Sequence, residues 1–179
     1  MPTNTYEKIQ TVTVGSGGQS EIEFTSIPST YTDLIVQLSV RTNTSGTERD
    51  SIGLRINSDT GSNYTWCRMY GYTSSSKGAD SQTTNYVAIG GLMPAASADA
   101  DTFAGITFHF YNYASTSIKK LGHWMGGGHC TSTNWVSVTG SFEFNSTSAI
   151  TSIKFYNFDN SSSLFTQHSS ATLFGIKNS

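Results

Sequence analysis

Asp59, Thr60, Gly61 and Ser62 spell D-T-G-S, the tetrapeptide that holds the catalytic aspartate in acid proteases of the pepsin type. That chemistry needs two aspartates sharing one proton, so a chain with one motif must dimerise to complete the pair. No second D-T-G or D-S-G occurs. The nearest stretch, Asp101-Thr102-Phe103, has Phe103 where a small flexible residue is required. Asn57 and Ser58 precede Asp59, which places its carboxylate past a strand end and in water. A turn explains the same letters better: Asp59 and Asn63 bond readily to nearby backbone groups, and Gly61 permits positive φ. The role expected of Asp59, Gly61 and Asn63 is therefore structural, in a hairpin or tight inter-strand connection.

His123, His129 and Cys130 form a second group, in H-W-M-G-G-G-H-C. Imidazole and thiolate are zinc ligands, and a glycine run can fold them together. The spacing matches no common finger or catalytic pattern, and a clear fourth ligand is absent. The plainer expectation is two strands joined by a glycine-rich turn, with the histidines beside it; metal binding by His123 and His129 stays open. His109 alternates with apolar phenylalanines and faces away from them, as a surface or interface histidine does. Serine is abundant, but no G-x-S-x-G elbow occurs, and no glycine-rich phosphate loop stands at a strand-to-helix junction. No catalytic residue and no cofactor are expected.

The aromatics say more. In N-Y-T-W-C-R-M-Y-G-Y, residues Tyr64, Trp66, Arg68, Tyr70 and Tyr72 share one face of a strand. Thr65, Cys67 and Met69 share the other, which suits a core. Tyr, Trp and Arg dominate protein–protein hot spots, and aromatics among polar neighbours also stack on sugar rings. Three readings stand together: a central strand buried on both faces, a subunit interface, or a glycan contact. Trp124 and Trp135, flanking the glycine run, raise the same choice.

The elements that position these residues have a period of two. Leu34, Val36, Leu38 and Val40 alternate with Ile35, Gln37, Ser39 and Arg41. Ile52, Leu54 and Ile56, then Ile106, Phe108 and Phe110, then Phe142 and Phe144, repeat the pattern. Such alternation marks strands with one face on a core. Turn signals separate them: G-S-G-G lies between strands near Ile9–Val14 and Glu21–Thr25, and N-T-S-G-T-E, S-S-S-K-G-A-D and D-N-S-S-S follow as loops. M-P-A-A-S-A-D-A-D can hold a helical turn; no segment has sustained helical spacing. Roughly ten or eleven short strands at sandwich spacing are expected. The fold class is all-β, an antiparallel two-sheet β-sandwich, jelly-roll-like, in one domain over residues 1–179.

Composition narrows the function classes. The chain has 179 residues and a formal charge of -2, and charged residues make up 12%, against the usual ~25%. Ser and Thr fill the gap at roughly 30%. Hydroxyl-rich surfaces of this kind suit extracellular, adhesive or particle-forming β proteins. Nucleic acid is not an expected partner, since a Lys/Arg stripe is missing. A membrane is not expected either, since no apolar run approaches ~18 residues. The start, M-P-T-N-T-Y-E-K, has no signal-peptide pattern. The sequons at Asn43, Asn63, Asn145 and Asn160 then read as products of a Ser/Thr-rich chain. Cys67 and Cys130 sit in or beside apolar patterns and read as buried free thiols; whether they pair is open.

With the strands laid out, the chain resembles small β-sandwich virion proteins of tailed bacteriophages. The likeness rests on Y-E-K-I-Q-T-V-T-V-G-S-G-G, on I-E-F-T-S-I-P-S-T-Y-T-D-L-I-V-Q-L-S-V-R-T-N and on L-R-I-N-S-D-T-G-S-N-Y-T-W-C-R-M-Y-G. It extends to F-H-F-Y-N-Y-A-S-T, A-I-T-S-I-K-F-Y and S-A-T-L-F-G-I-K. The resemblance implies a structural virion protein made in a bacterial cytoplasm without a signal peptide. Its first form is a decoration (cement) protein on the outer capsid, a homotrimer bridging neighbouring major capsid protein subunits. Its alternative is a tail or fibre-associated module that binds host-surface glycan.

Overall fold

The alternating segments become strands throughout the computed structural model, which describes residues 5–73 and 77–177. Twelve strands occur among them: β1 (Tyr6–Thr13), β2 (Glu21–Phe24), β3 (Asp33–Val40), β4 (Arg49–Ile56), β5 (Tyr64–Tyr72) and β6 (Lys77–Thr84), followed by β7 (Val87–Pro94), β8 (Ala104–Tyr111), β9 (Lys120–Thr131), β10 (Asn134–Phe144), β11 (Ile153–Asn157) and β12 (Ser170–Ile176). No helix forms among the described residues; the Ala-rich stretch makes turns, with Ala98 N–H donating to the Ala95 carbonyl at 3.1 Å.

The strands build two antiparallel sheets, ordered β1-β12-β3-β8-β9-β10-β5-β6 and β2-β11-β4-β7. Set aside the β5–β6 and β9–β10 hairpins. The remaining eight strands pair β1 with β12, β2 with β11, β3 with β8 and β4 with β7. One long hairpin rolled up so that β12 also meets β3 and β11 meets β4 produces this order, which is the jelly roll. The two extra hairpins pair through β10 and β5 and widen the larger sheet beyond the roll.

The core follows the period-two pattern. Leu34, Val36, Leu38, Val40, Ile106, Phe108 and Phe110 face Ile52, Leu54, Ile56, Ile153 and Phe155 from the smaller sheet, all buried. Phe108 and Phe155 meet across the layers at 5.0 Å between ring centroids. Each such side chain contributes about 1.5–3 kcal/mol by leaving water.

Three local expectations are corrected. S-S-S-K-G-A-D is not a loop at its second half: Lys77 to Asp80 belong to β6 and pair with β5, and residues 74–76 lie outside the described residues. The glycine run is not a turn: β9 runs straight through Gly126, Gly127 and Gly128, and the turn lies at Ser132-Thr133. A Cβ on Gly128 would lie 2.1 Å from the Leu92 carbonyl oxygen of β7, and one on Gly126 would lie 2.8 Å from the Gly105 carbonyl. Gly128 lets β7 lie close over β9, and Gly126 leaves room for the neighbouring strand β8. The D-T-G-S segment is a turn, but a corner between sheets, since β4 and β5 belong to different ones. Positive φ falls on Asn57 (53°) and Ser58 (55°), not on Gly61. Asp59 N–H closes the turn on the Ile56 carbonyl at 3.0 Å. Gly61 is small for a different reason: a Cβ there would sit 2.8 Å from Asn63 Nδ2, which donates to both Asp59 oxygens at 3.1 Å.

Candidate binding surface

The aromatic strand β5 shows which face is covered. Tyr64 and Trp66 are buried, while Thr65, Cys67 and Met69 are exposed, Met69 at 63%. The expected orientation is therefore inverted. The reason is β7, which leans across β5, β9 and β10 and roofs the hairpin extension on the Tyr64–Trp66 side. Tyr64 stacks on Phe144 at 4.9 Å, and its hydroxyl donates to the Ile56 carbonyl at 3.1 Å and accepts from Ile56 N–H at 3.0 Å. Burial pushes its pKa up to about 12, so it stays a neutral pin for the 56–59 corner. Trp66 donates from Nε1 to Thr84 Oγ1 at 3.1 Å.

Arg68 extends beneath β7. It grips Asp80 with Nε and Nη2 at 2.7 and 2.8 Å and lies against the rings of Trp66 and Tyr70 at 5.0 and 5.8 Å. Gly90, at φ 97°, leaves room for it: a Cβ there would lie 2.9 Å from Arg68 Nη1. Tyr70 and Tyr72 are half-buried neighbours, with Arg49 stacked on Tyr72 at 4.1 Å. Trp124 is fully buried against Phe108 and Phe142. Tyr64, Trp66 and Trp124 are core residues, and none of them offers a ring to an outside partner. Of the expected contact residues only Trp135, 54% exposed, stands fully open.

The open surface is the reverse side of the same strands. Antiparallel register lines its side chains into rows across β8, β9, β10, β5 and β6. One row reads Thr107, Met125, Thr139, Met69, Ala79; the next reads His109, His123, Ser141, Cys67, Ser81. Five strands span about 19 Å. Met125 (57%), Leu121 (55%) and Tyr111 stand out beside Met69. Two adjoining shallow depressions of ≈ 630 and ≈ 590 Å³ surround Cys67, His123 and Ser141. Of the outward positions on these strands only Glu143 and Lys77 carry a fixed charge, and Glu143 pairs with Lys119 at 3.1 Å.

The histidines divide between two places. His109 Nε2 lies 3.2 Å from Asp33 Oδ2, and His123 Nδ1 lies 2.8 Å from the Tyr111 hydroxyl. Burial, then the neighbouring His109, lower the pKa of His123. His129 is six residues further along β9, about 20 Å away, so it shares no metal with His123. It stacks on Trp135 at 4.4 Å, with Asp99 Oδ2 3.6 Å from its Nε2. Among the described residues no group of three or more His, Cys, Asp or Glu side chains is placed to hold a metal. Both cysteines are free. Cys130 is buried, and burial raises its thiol to about 11; Cys67 is exposed, against expectation, because it lies on the outer face.

The outward residues that the sequence did not single out are Met69, Met125, Leu121, Tyr111 and Cys67. Bulk was the available signal: a face bearing Tyr and Trp has more apolar area to bury than one bearing Thr, Cys and Met. Among the described residues no helix is long and apolar enough to cross a membrane. Comparison with protein-family models, with curated proteins and with solved structures gives no match.

Proposed function

We propose that the chain is a structural protein of a tailed-phage virion, a decoration (cement) protein that lies on the outer capsid and bridges neighbouring major capsid protein subunits. The observation that carries this reading is the outer face of the larger sheet. Across β8, β9, β10, β5 and β6 it is broad and nearly free of fixed charge, and it exposes Met69, Met125, Leu121 and Tyr111 among hydroxyls. Large apolar side chains left exposed on a broad face with little charge suit contact with another protein, and methionine adapts to irregular partners. The jelly roll beneath holds the face rigid. Each copy makes modest contacts; linking copies, as in the homotrimer that the resemblance implies, raises the effective concentration at every site. The surface is assigned contact, not bond making or breaking.

Imaging of intact virions tests the reading directly. The domain is expected on the head, outer sheet face against the shell, and particles stripped of it should lose resistance to heat. Domains confined to the tail, with equal heat resistance of both particles, would contradict it.

A second reading is favoured by Trp135. Its ring is backed by His129 on one side and open on the other, with Asn134 bonded to Glu48 Oε2 at 2.9 Å nearby. A braced, exposed indole beside amide and carboxylate groups is a stacking platform for a sugar ring. In that case the chain is a tail or fibre-associated module for host-surface glycan. Glycan-array binding that Trp135→Ala abolishes would support it; an array without hits would discard it.

A further inference from the structure

Four strands close the two sheets: β1 and β6 in the larger, β2 and β7 in the smaller. An open edge presents unpaired backbone N–H and C=O groups and templates another strand. Proteins blunt edges with bulges, short strands, charges, proline or cover. Three of these four are blunted. β1 is bulged between Lys8 and Gln10 and carries Glu7 and Lys8. β2 is four residues long and bears Glu21 and Glu23. β7 breaks register twice against β4, ends in Pro94 and is buried along nearly its whole length. β6 differs. All eight of its residues pair with β5 in unbroken register, it contains no proline, and it is largely exposed. Its one carboxylate, Asp80, is already held by Arg68 of the same chain.

We propose that β6 pairs antiparallel with β6 of a second copy, joining two eight-stranded sheets into one. A twofold axis normal to the sheet keeps each face on its own side, so only residues of equal parity oppose one another. Centred on Asp80, this pairing sets two carboxylates face to face. Centred on Ser81, it sets Asp80 against Gln82 of the second copy, an acceptor against an amide donor, and Ala79 against Thr83. Lys77 then falls beyond the ladder. Charge favours the Ser81 register over the Asp80 one, and main-chain bonds supply the attraction. The rows ending in Met69–Ala79 and Cys67–Ser81 continue into the second copy, doubling the outer face. The pairing stands independently of the virion reading and gives two copies, in place of the three that the resemblance implies.

Sedimentation of the full chain from about 1 to about 200 µM tests it. The mass should rise from 19.3 kDa toward twice that value. Gln82→Asp puts a carboxylate opposite Asp80, twice per pair by symmetry, and should weaken association roughly tenfold. Gln82→Lys reverses the sign and should strengthen it, while Lys8→Asp on β1 should change nothing. Gln82 is exposed, so at about 1 µM, where the chain is largely single, the unfolding midpoints of these variants should match the unmodified chain and separate lost pairing from lost fold. A monomer at every concentration, or association indifferent to Gln82→Asp, would overturn the pairing. A trimer would overturn it too, and would leave the decoration reading standing.

Discussion

One residue separates opposite fates on the extension of the larger sheet. Tyr64, Trp66 and Trp124 are at most 3% exposed, while Met69 and Met125, on the reverse of the same two strands, are 63% and 57% exposed. Residue type alone does not explain the division, since Trp135 is exposed and Trp124 is not. Cover explains it. β7 leans over one side of β5, β9 and β10 and approaches β9 closely because Gly128 offers no side chain. The covered side becomes core, and the uncovered side leaves its apolar groups in solvent.

The largest break in that comparison is Trp124→Ala, expected to cost about 3–5 kcal/mol in urea unfolding, against less than about 0.5 kcal/mol for Trp135→Ala. Equal costs would mean that the two indoles are equally buried. Next comes the glycine contact. Gly128→Ala must displace the Leu92 carbonyl and should cost about 2–3 kcal/mol, whereas Gly105→Ala, with open space around its Cβ, should stay within about 0.5 kcal/mol. Asp59→Ala is smaller. It removes the acceptor for Gly61 N–H, at 2.9 Å, and for Asn63, and should cost about 1 kcal/mol while leaving particle binding intact.

The smallest effect is one of pH. The folded pKa of His123 lies below its ordinary 6.5, through burial and His109 beside it. The unfolded chain therefore takes up the proton first. This group's contribution to stability is complete above the unfolded value and is lost as pH falls through the folded one. Unfolding midpoints should decline between about pH 7 and 5, and His123→Gln should flatten part of that decline.

The sandwich was legible because its strands alternate cleanly: Leu34 to Val40 and Ile106 to Phe110 each name their buried face without help from distant residues. The D-T-G-S turn was legible as well, since its Asp59 and Asn63 bonds are local. The facing of β5 was not. A period of two separates its residues into two sets but does not say which set is inward, and the answer came from β7, some twenty residues away along the chain. The glycine run misled for the same reason. Glycines mark turns when the constraint is local and close approach when it is tertiary, and the letters are identical.

The central claim is that the outer face of the larger sheet is the contact surface, and Cys67 reports on it directly. A maleimide should label the Cys67 thiol of the isolated chain and spare the buried Cys130. On intact virions Cys67 should become protected. Labelling of Cys67 at the same rate in the particle as in isolation would contradict the account.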